Sequence, residues 1–140
     1  MFNNILLAVD GSEHSLNAAR SAAQLARSMN SADLRIAVVY DSIPPILGDP
    51  DFQVVLNARL DDTEKILQSA VKEVGEVPST VSTETIAGDP AEAIIKIAET
   101  RKCDLIVMGS RGLGRLAGLV LGSVSQKVVS HAPCPVLIVR

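Results

Sequence analysis

The chain has 140 residues, enough for one domain with a sizeable core, and 47% of them are apolar although only 2% are aromatic. With no Trp, one Tyr and two Phe it lacks the stacking platforms of single-strand nucleic-acid binders, and a net charge of −3 argues against a general polyanion binder. The core must instead come from Val, Ile, Leu and Ala, the composition of parallel sheets covered by helices.

In chain order, the aliphatic run Asn4–Val9 (NILLAV) reads as a first strand buried on both faces. A helix follows, with Leu16, Ala19, Ala23, Ala26 and Met29 along one face. Asp33–Val39 (DLRIAVV) is the second strand. The connection Asp41–Asp51 (DSIPPILGDPD), rich in Pro and Gly, reads as either a functional lid or a surface loop. The second helix carries Leu56, Leu60, Thr63, Leu67, Ala70 and Val74 on one face and stops before Gly75. Thr80–Ile86 (TVSTETI) alternates polar and apolar residues, as an edge strand does, with a plain loop as the alternative.

The third helix has the clearest start: Asp89 as cap, Pro90 at the first helical position and Glu92 at the third. Asp104–Met108 (DLIVM) is a fourth strand, a short helix begins near Ser123, and prolines in HAPCP stop it before a fifth strand at Pro135–Val139. The alternation β-α-β-α-β-α-β-α-β predicts an α/β fold: one mostly parallel sheet with right-handed crossovers and helices on both faces, a single domain over residues 1–140.

Cys103 and Cys134 lie 31 residues apart without a CxxC pair, so reduced, buried packing thiols are expected. His14 and His131 lack metal-ligand spacing and read as surface or packing residues, so no metal-ligating residues are assigned. There is no N-terminal signal pattern and no run of the about 18 apolar residues that a membrane span needs. A soluble, cytoplasmic protein with no membrane or nucleic-acid partner is the expectation.

The chemistry concentrates after the fourth strand, in GSRGLGRLAGLVLGS from Gly109 to Ser123, which holds five of the nine glycines. Glycines let successive N–H groups curl into an anion-binding nest. Ser123 at a helix start puts a hydroxyl and the helix dipole behind the same anion. No Asp or Glu follows Asp104, so the last 36 residues carry +4 against −7 before them, with Arg111 and Arg115, and Lys127 as a further candidate, to balance a phosphate. A P-loop is ruled out because no glycine precedes a lysine. A dinucleotide fingerprint matches at Gly112, Gly114 and Ala117 but lacks the downstream acid and the remaining chain length.

Gly109, two residues, Gly112, nine residues, Gly122 and then Ser123 resembles the G-2x-G-9x-G-[S/T] signature of ATP-binding universal stress proteins. The segments NILLAVDGSEHS, GDPAEAI, CDLIVMGSRG and SHAPCPVLIV extend the likeness over nearly the whole chain. The resemblance implies a doubly wound sheet in the order 3-2-1-4-5 with the ligand between strands one and four, at the switch point. By similarity, Asp10 lies near the adenine-ribose end and the backbone of Val39 reads the adenine edge. Gly109, Arg111, Gly112, Gly122, Ser123 and Val124 would surround ribose and phosphates, and Ser110, Gly114, Arg115 and Ser125 are further cofactor-binding candidates. Some ATP-binding relatives have a proline two residues before the Asp, where this sequence has Ala8. Asp10 also reads as a cap for the helix that starts near Ser12. Met108 reads as core-facing.

The resulting expectation is an ATP-binding regulatory or stress-response protein, with Mg2+ accompanying the nucleotide. No catalytic residue is assigned. A slow ATP hydrolase and a nucleotide-free dimeric interaction protein are the alternatives, since the glycine-rich segment offers no base for an attacking water. The resemblance also implies a homodimer, paired through the aliphatic edge of the last strand.

Overall fold

The computed structural model describes residues 1–42, 51–111 and 121–140. Residues 43–50, most of the proline-rich connection, lie outside the described residues, as do Gly112, Gly114 and Arg115. The element order is β1 (Asn4–Val9), α1 (Glu13–Met29), β2 (Asp33–Tyr40), α2 (Asp51–Val74), β3 (Thr80–Ala87), α3 (Pro90–Thr100), β4 (Leu105–Gly109), α4 (Ser123–His131) and β5 (Val136–Val139). The five strands form one all-parallel sheet in the order β3-β2-β1-β4-β5, an α/β fold with β3 at an edge as its alternation predicts.

Strand ends differ from the sequence reading for local reasons. Asp104 stands before β4 because its carboxylate accepts from the N–H groups of Asn3 and Asn4 at 2.8 and 3.0 Å, tying the starts of β1 and β4 together. Pro135 precedes β5 because it has no N–H for the ladder, while its carbonyl still accepts from Ile106 N at 3.0 Å.

Each face of the sheet has its own core. Ile5, Leu7, Val9, Leu34, Ile36 and Val38 project toward α1 and α2, and Leu6, Ala8, Ala37, Ile106 and Met108 toward α3 and α4. In α1 the buried row is Ser15, Ala18, Ala19, Ala22, Ala23 and Ala26, so the predicted face is rotated, leaving Leu16 and Met29 half-buried at its margins. Alanine on the inner row brings the helix axis close to the sheet, and larger side chains are displaced to the flanks. In α2 only the C-terminal part of the predicted face is buried: Thr63, Leu67, Ala70 and Val74. Leu56 is half-buried and Leu60 exposed, because 24 residues span about 36 Å and overrun the strands beneath.

Candidate functional site

The strands end together at their carboxyl edge, where β1 and β4 lie side by side and their outgoing connections lead to opposite faces of the sheet. At that switch point a parallel α/β sheet opens a crevice. Its floor follows from register. Ala8 pairs with Ala37 on one side and Met108 on the other, so two methyl groups and one flexible thioether stand in a row where bulkier chains would fill the space. The cavity above them has a volume of about 120 Å³. Pro90 and Ile94 from the first turns of α3 form one wall, and Val124 and Ser125 of α4 another. Asp10, Ser12 and Val39 also line it, with Gly109 and Arg111 at the exit of β4.

The first turn of α1 is finished internally. Gly11 at φ +87° turns the chain under Ile66, a conformation that favours glycine. The Asp10 carboxylate accepts from Ser12 N at 2.9 Å, and Ser12, not Asp10, is the cap: its Oγ accepts from Ser15 N at 3.2 Å. Asp10 is therefore an acceptor in the turn before the helix, with its carboxylate beside the crevice. Asp89 caps α3 in the predicted manner, accepting from Glu92 N at 3.0 Å, and that backbone bond holds its carboxyl below the usual range.

The start of α4 is built differently. Its cap residue, Gly122, has no side-chain acceptor to offer the first amides. Gly122 N instead donates to Ser110 O at 2.7 Å. Ser125, which is buried, donates its hydroxyl to Gly109 O at 2.9 Å and Ser110 O at 3.1 Å. These bonds hold the α4 N-terminus against the end of β4.

Among the residues singled out from the sequence, Asp10, Val39, Gly109, Arg111, Val124 and Ser125 line the crevice. Ser110 and Gly122 are part of its frame, and Ser123 is exposed at the helix start beside it. Gly109 has a steric role in addition to any ligand contact: a Cβ there would lie 2.8 Å from His14 Cβ and 2.9 Å from the His14 carbonyl carbon. Lys127 is not turned to the phosphate side. Its ammonium lies 3.4 Å from both Asp89 and Glu92, a surface pairing between α4 and α3 that raises its pKa. Met108 is buried as expected and also forms part of the floor.

Sequence reasoning did not single out Ala37, Ser12, Pro90 and Ile94 as lining residues. Ser12 had a signal in its place two residues after Asp10, and Pro90 in its place at a helix start. Ala37 had none, because only register with Ala8 reveals it. The two thiols sit in the α3–α4 core, burial raising Cys103 to about 11 and Cys134 above its ordinary value. His131 lies at the end of α4, its Nδ1 3.1 Å from Lys127 O. Among the described residues, no three His, Cys, Asp or Glu side chains cluster to hold a metal ion, and no helix is long and apolar enough to cross a membrane.

The model of the universal stress protein family matches residues 1–140. The universal stress protein in the QAH/OAS sulfhydrylase 3′ region of Thermus aquaticus is 47% identical over 140 residues, covering all of both chains. Among solved structures, universal stress protein UspA from Lactobacillus plantarum superposes with a TM-score of 0.87 at 29% identity, covering 99% of this chain and 98% of its own. A universal stress protein solved in complex with cAMP superposes with a TM-score of 0.72 at 27% identity, covering 99% and 97%.

Proposed function

The chain belongs to the universal stress protein family, and we propose that it is a nucleotide-binding regulatory protein that holds ATP in the carboxyl-edge crevice. One observation carries the reading: α4 begins beside the crevice with a glycine cap, and among the described residues no side chain caps its first amides, which suits them to an anion. The relative solved with cAMP supports an adenine nucleotide as the class of ligand.

The cavity of about 120 Å³ is small against the roughly 300–1,000 Å³ of whole-ligand pockets, and accommodates one flat ring. Adenine lies over Ala8, Ala37 and Met108, with the Val39 backbone at its edge and Asp10 toward the ribose. The phosphates extend outward to Arg111, the amides at Ser123 and Val124, and the glycine-rich stretch with Gly112, Gly114 and Arg115. Arg111 supplies the fixed positive charge.

With Asp10 the one carboxylate among the lining residues, the described chain forms no cage for a divalent ion. Mg2+ would come with the nucleotide and would neutralise phosphate charge. Rapid hydrolysis needs a base beside the terminal phosphate, whereas Asp10 sits at the ribose end of this arrangement. Binding that tunes a partner interaction in the cytoplasm is the favoured role. The β5 edge, with Leu137 and nearby Val129 exposed, supports a homodimer paired along that strand.

Calorimetry with Mg-ATP tests the reading, alongside mass spectrometry of any nucleotide retained on purification. Micromolar or tighter binding that is lost in Gly112→Val is expected. No binding, or equal binding by both proteins, would sink the site. Release of phosphate at more than a few turnovers per hour in the same sample would favour the hydrolase. A monomer in light scattering at micromolar concentration contradicts the dimer.

A further inference from the structure

His14 is outside the lining of the crevice, yet two separate contacts connect it to the crevice's phosphate side. The first is the close approach at Gly109, where an added Cβ would meet His14 Cβ at 2.8 Å and Ser15 N at 3.0 Å. The second is polar: His14 Nδ1 lies 2.8 Å from Ser110 Oγ. Ser110 is only 2% exposed, so its hydroxyl is not presented to a ligand.

Ser110 is a junction of the surrounding backbone. Its N–H donates to Val139 O at 2.7 Å, and its carbonyl accepts from Gly122 N at 2.7 Å and Ser125 Oγ at 3.1 Å. Arg111 follows it directly, and Gly122 immediately precedes α4. A shift of Ser110 therefore moves the Arg111 side chain and the α4 amides together.

We infer that His14 is a positioning residue: through Ser110 it sets the geometry of the phosphate end of the crevice, while making no contact with the base. The inference rests on the nucleotide reading above and deepens it. The imidazole ties the first turn of α1 to Ser110 at the end of β4, whose carbonyl in turn holds Gly122 and Ser125 at the start of α4. A serine hydroxyl donates to a bare Nδ1 or accepts from Nδ1–H, so the tie holds in either state of the ring. An Asn side chain places an amide nitrogen or oxygen close to where Nδ1 stands and preserves the contact.

The test is calorimetric titration of the unaltered protein, His14→Ala, His14→Asn, Ser110→Ala and the Ala double variant, each with adenosine and with Mg-ATP. The unaltered protein should bind Mg-ATP more tightly than adenosine. In His14→Ala that preference should shrink by about tenfold, the scale of one lost hydrogen bond to a fixed group, while adenosine binding stays unchanged. His14→Asn should keep the preference. Ser110→Ala should lose as much as His14→Ala, and the double variant no more than either. An unchanged preference in His14→Ala overturns the inference, and so does an equal weakening toward both ligands. If the unaltered protein shows no preference for Mg-ATP over adenosine, the nucleotide reading itself fails, and the inference falls with it.

Discussion

Helices α1 and α4 both start at the carboxyl edge of one parallel sheet, on opposite faces and on either side of the same crevice. Their first turns are completed in opposite ways. In α1 a side chain caps the start, with Ser12 Oγ accepting from Ser15 N, and Asp10 accepts from Ser12 N in the preceding turn. α4 begins on Gly122, which has no side chain to do so. Helix ends leave four N–H groups without intrahelical partners, and a cap takes up one or two of them. A closed end stabilises the fold, and an open one leaves its dipole and donors for an anion. The third helix on this edge, α3, is of the closed kind, with Asp89 as cap. Of the three helix starts on this edge whose caps are described, that of α4 alone lacks a side-chain cap.

The contrast breaks most severely at Gly109, where the end of β4 presses on the first turn of α1. Gly109→Val is expected to cost about 2 kcal/mol by overpacking against His14, lowering Tm by roughly 6 °C and abolishing Mg-ATP binding. An unchanged melting curve would show that the first turn of α1 yields freely.

Closing the open end is the sharper manipulation. Gly122 has φ −72° and ψ 167°, a conformation that any residue adopts, so Gly122→Asp should convert α4 into a helix of the closed kind. Its carboxylate would take the amides and repel phosphate. Mg-ATP affinity should drop more than tenfold, with Tm unchanged or slightly raised. A variant that binds as before refutes the assignment of those amides to phosphate.

Opening the closed end should have the reverse signature. Ser12→Ala removes the α1 cap at a cost of about 1 kcal/mol, a Tm decrease of roughly 3 °C. Because Ser12 borders the base end, the preference for Mg-ATP over adenosine should not change. Loss of that preference would move Ser12 to the phosphate side.

The smallest effect is at α3. Hydrogen bonding from Glu92 N lowers the Asp89 pKa, with the nearby Lys127 adding to the shift. The carboxylate's contribution is therefore complete above the unfolded value, near pH 4, and is lost as pH falls through the lower folded value. Urea unfolding of the unaltered protein and Asp89→Asn should differ at pH 7 and converge once the pH lies below the folded value. A difference that persists into stronger acid would show that charge is not what Asp89 contributes.

Much of the fold was legible in the residues themselves. Aliphatic runs such as LLAV and LIVM report burial on both faces, and Asp89-Pro90 announces a helix start through local chemistry alone. The doubly wound order came through the family resemblance. The buried stripe of α1 was less legible, because Ala18, Ala22 and their neighbours carry weak hydrophobic signals beside Leu16 and Met29. The mispredicted half of α2 has the right periodicity, but its packing partner depends on how far the sheet extends.

The open start of α4 was written in the sequence, since glycine at a cap and a run of glycines before it have local conformational consequences whatever surrounds them. Asp10, Val39, Gly109 and Arg111 were placed near one another through the family resemblance. Tertiary structure alone decided which groups share the space. It paired Ala8 with Ala37 to hollow the floor, turned Lys127 away to Asp89 and Glu92, and set His14 against Gly109 and Ser110 across 96 positions of chain. Caps and turns act over three or four residues and can be read along the chain. Register and close approach join distant residues, and no local pattern encodes them.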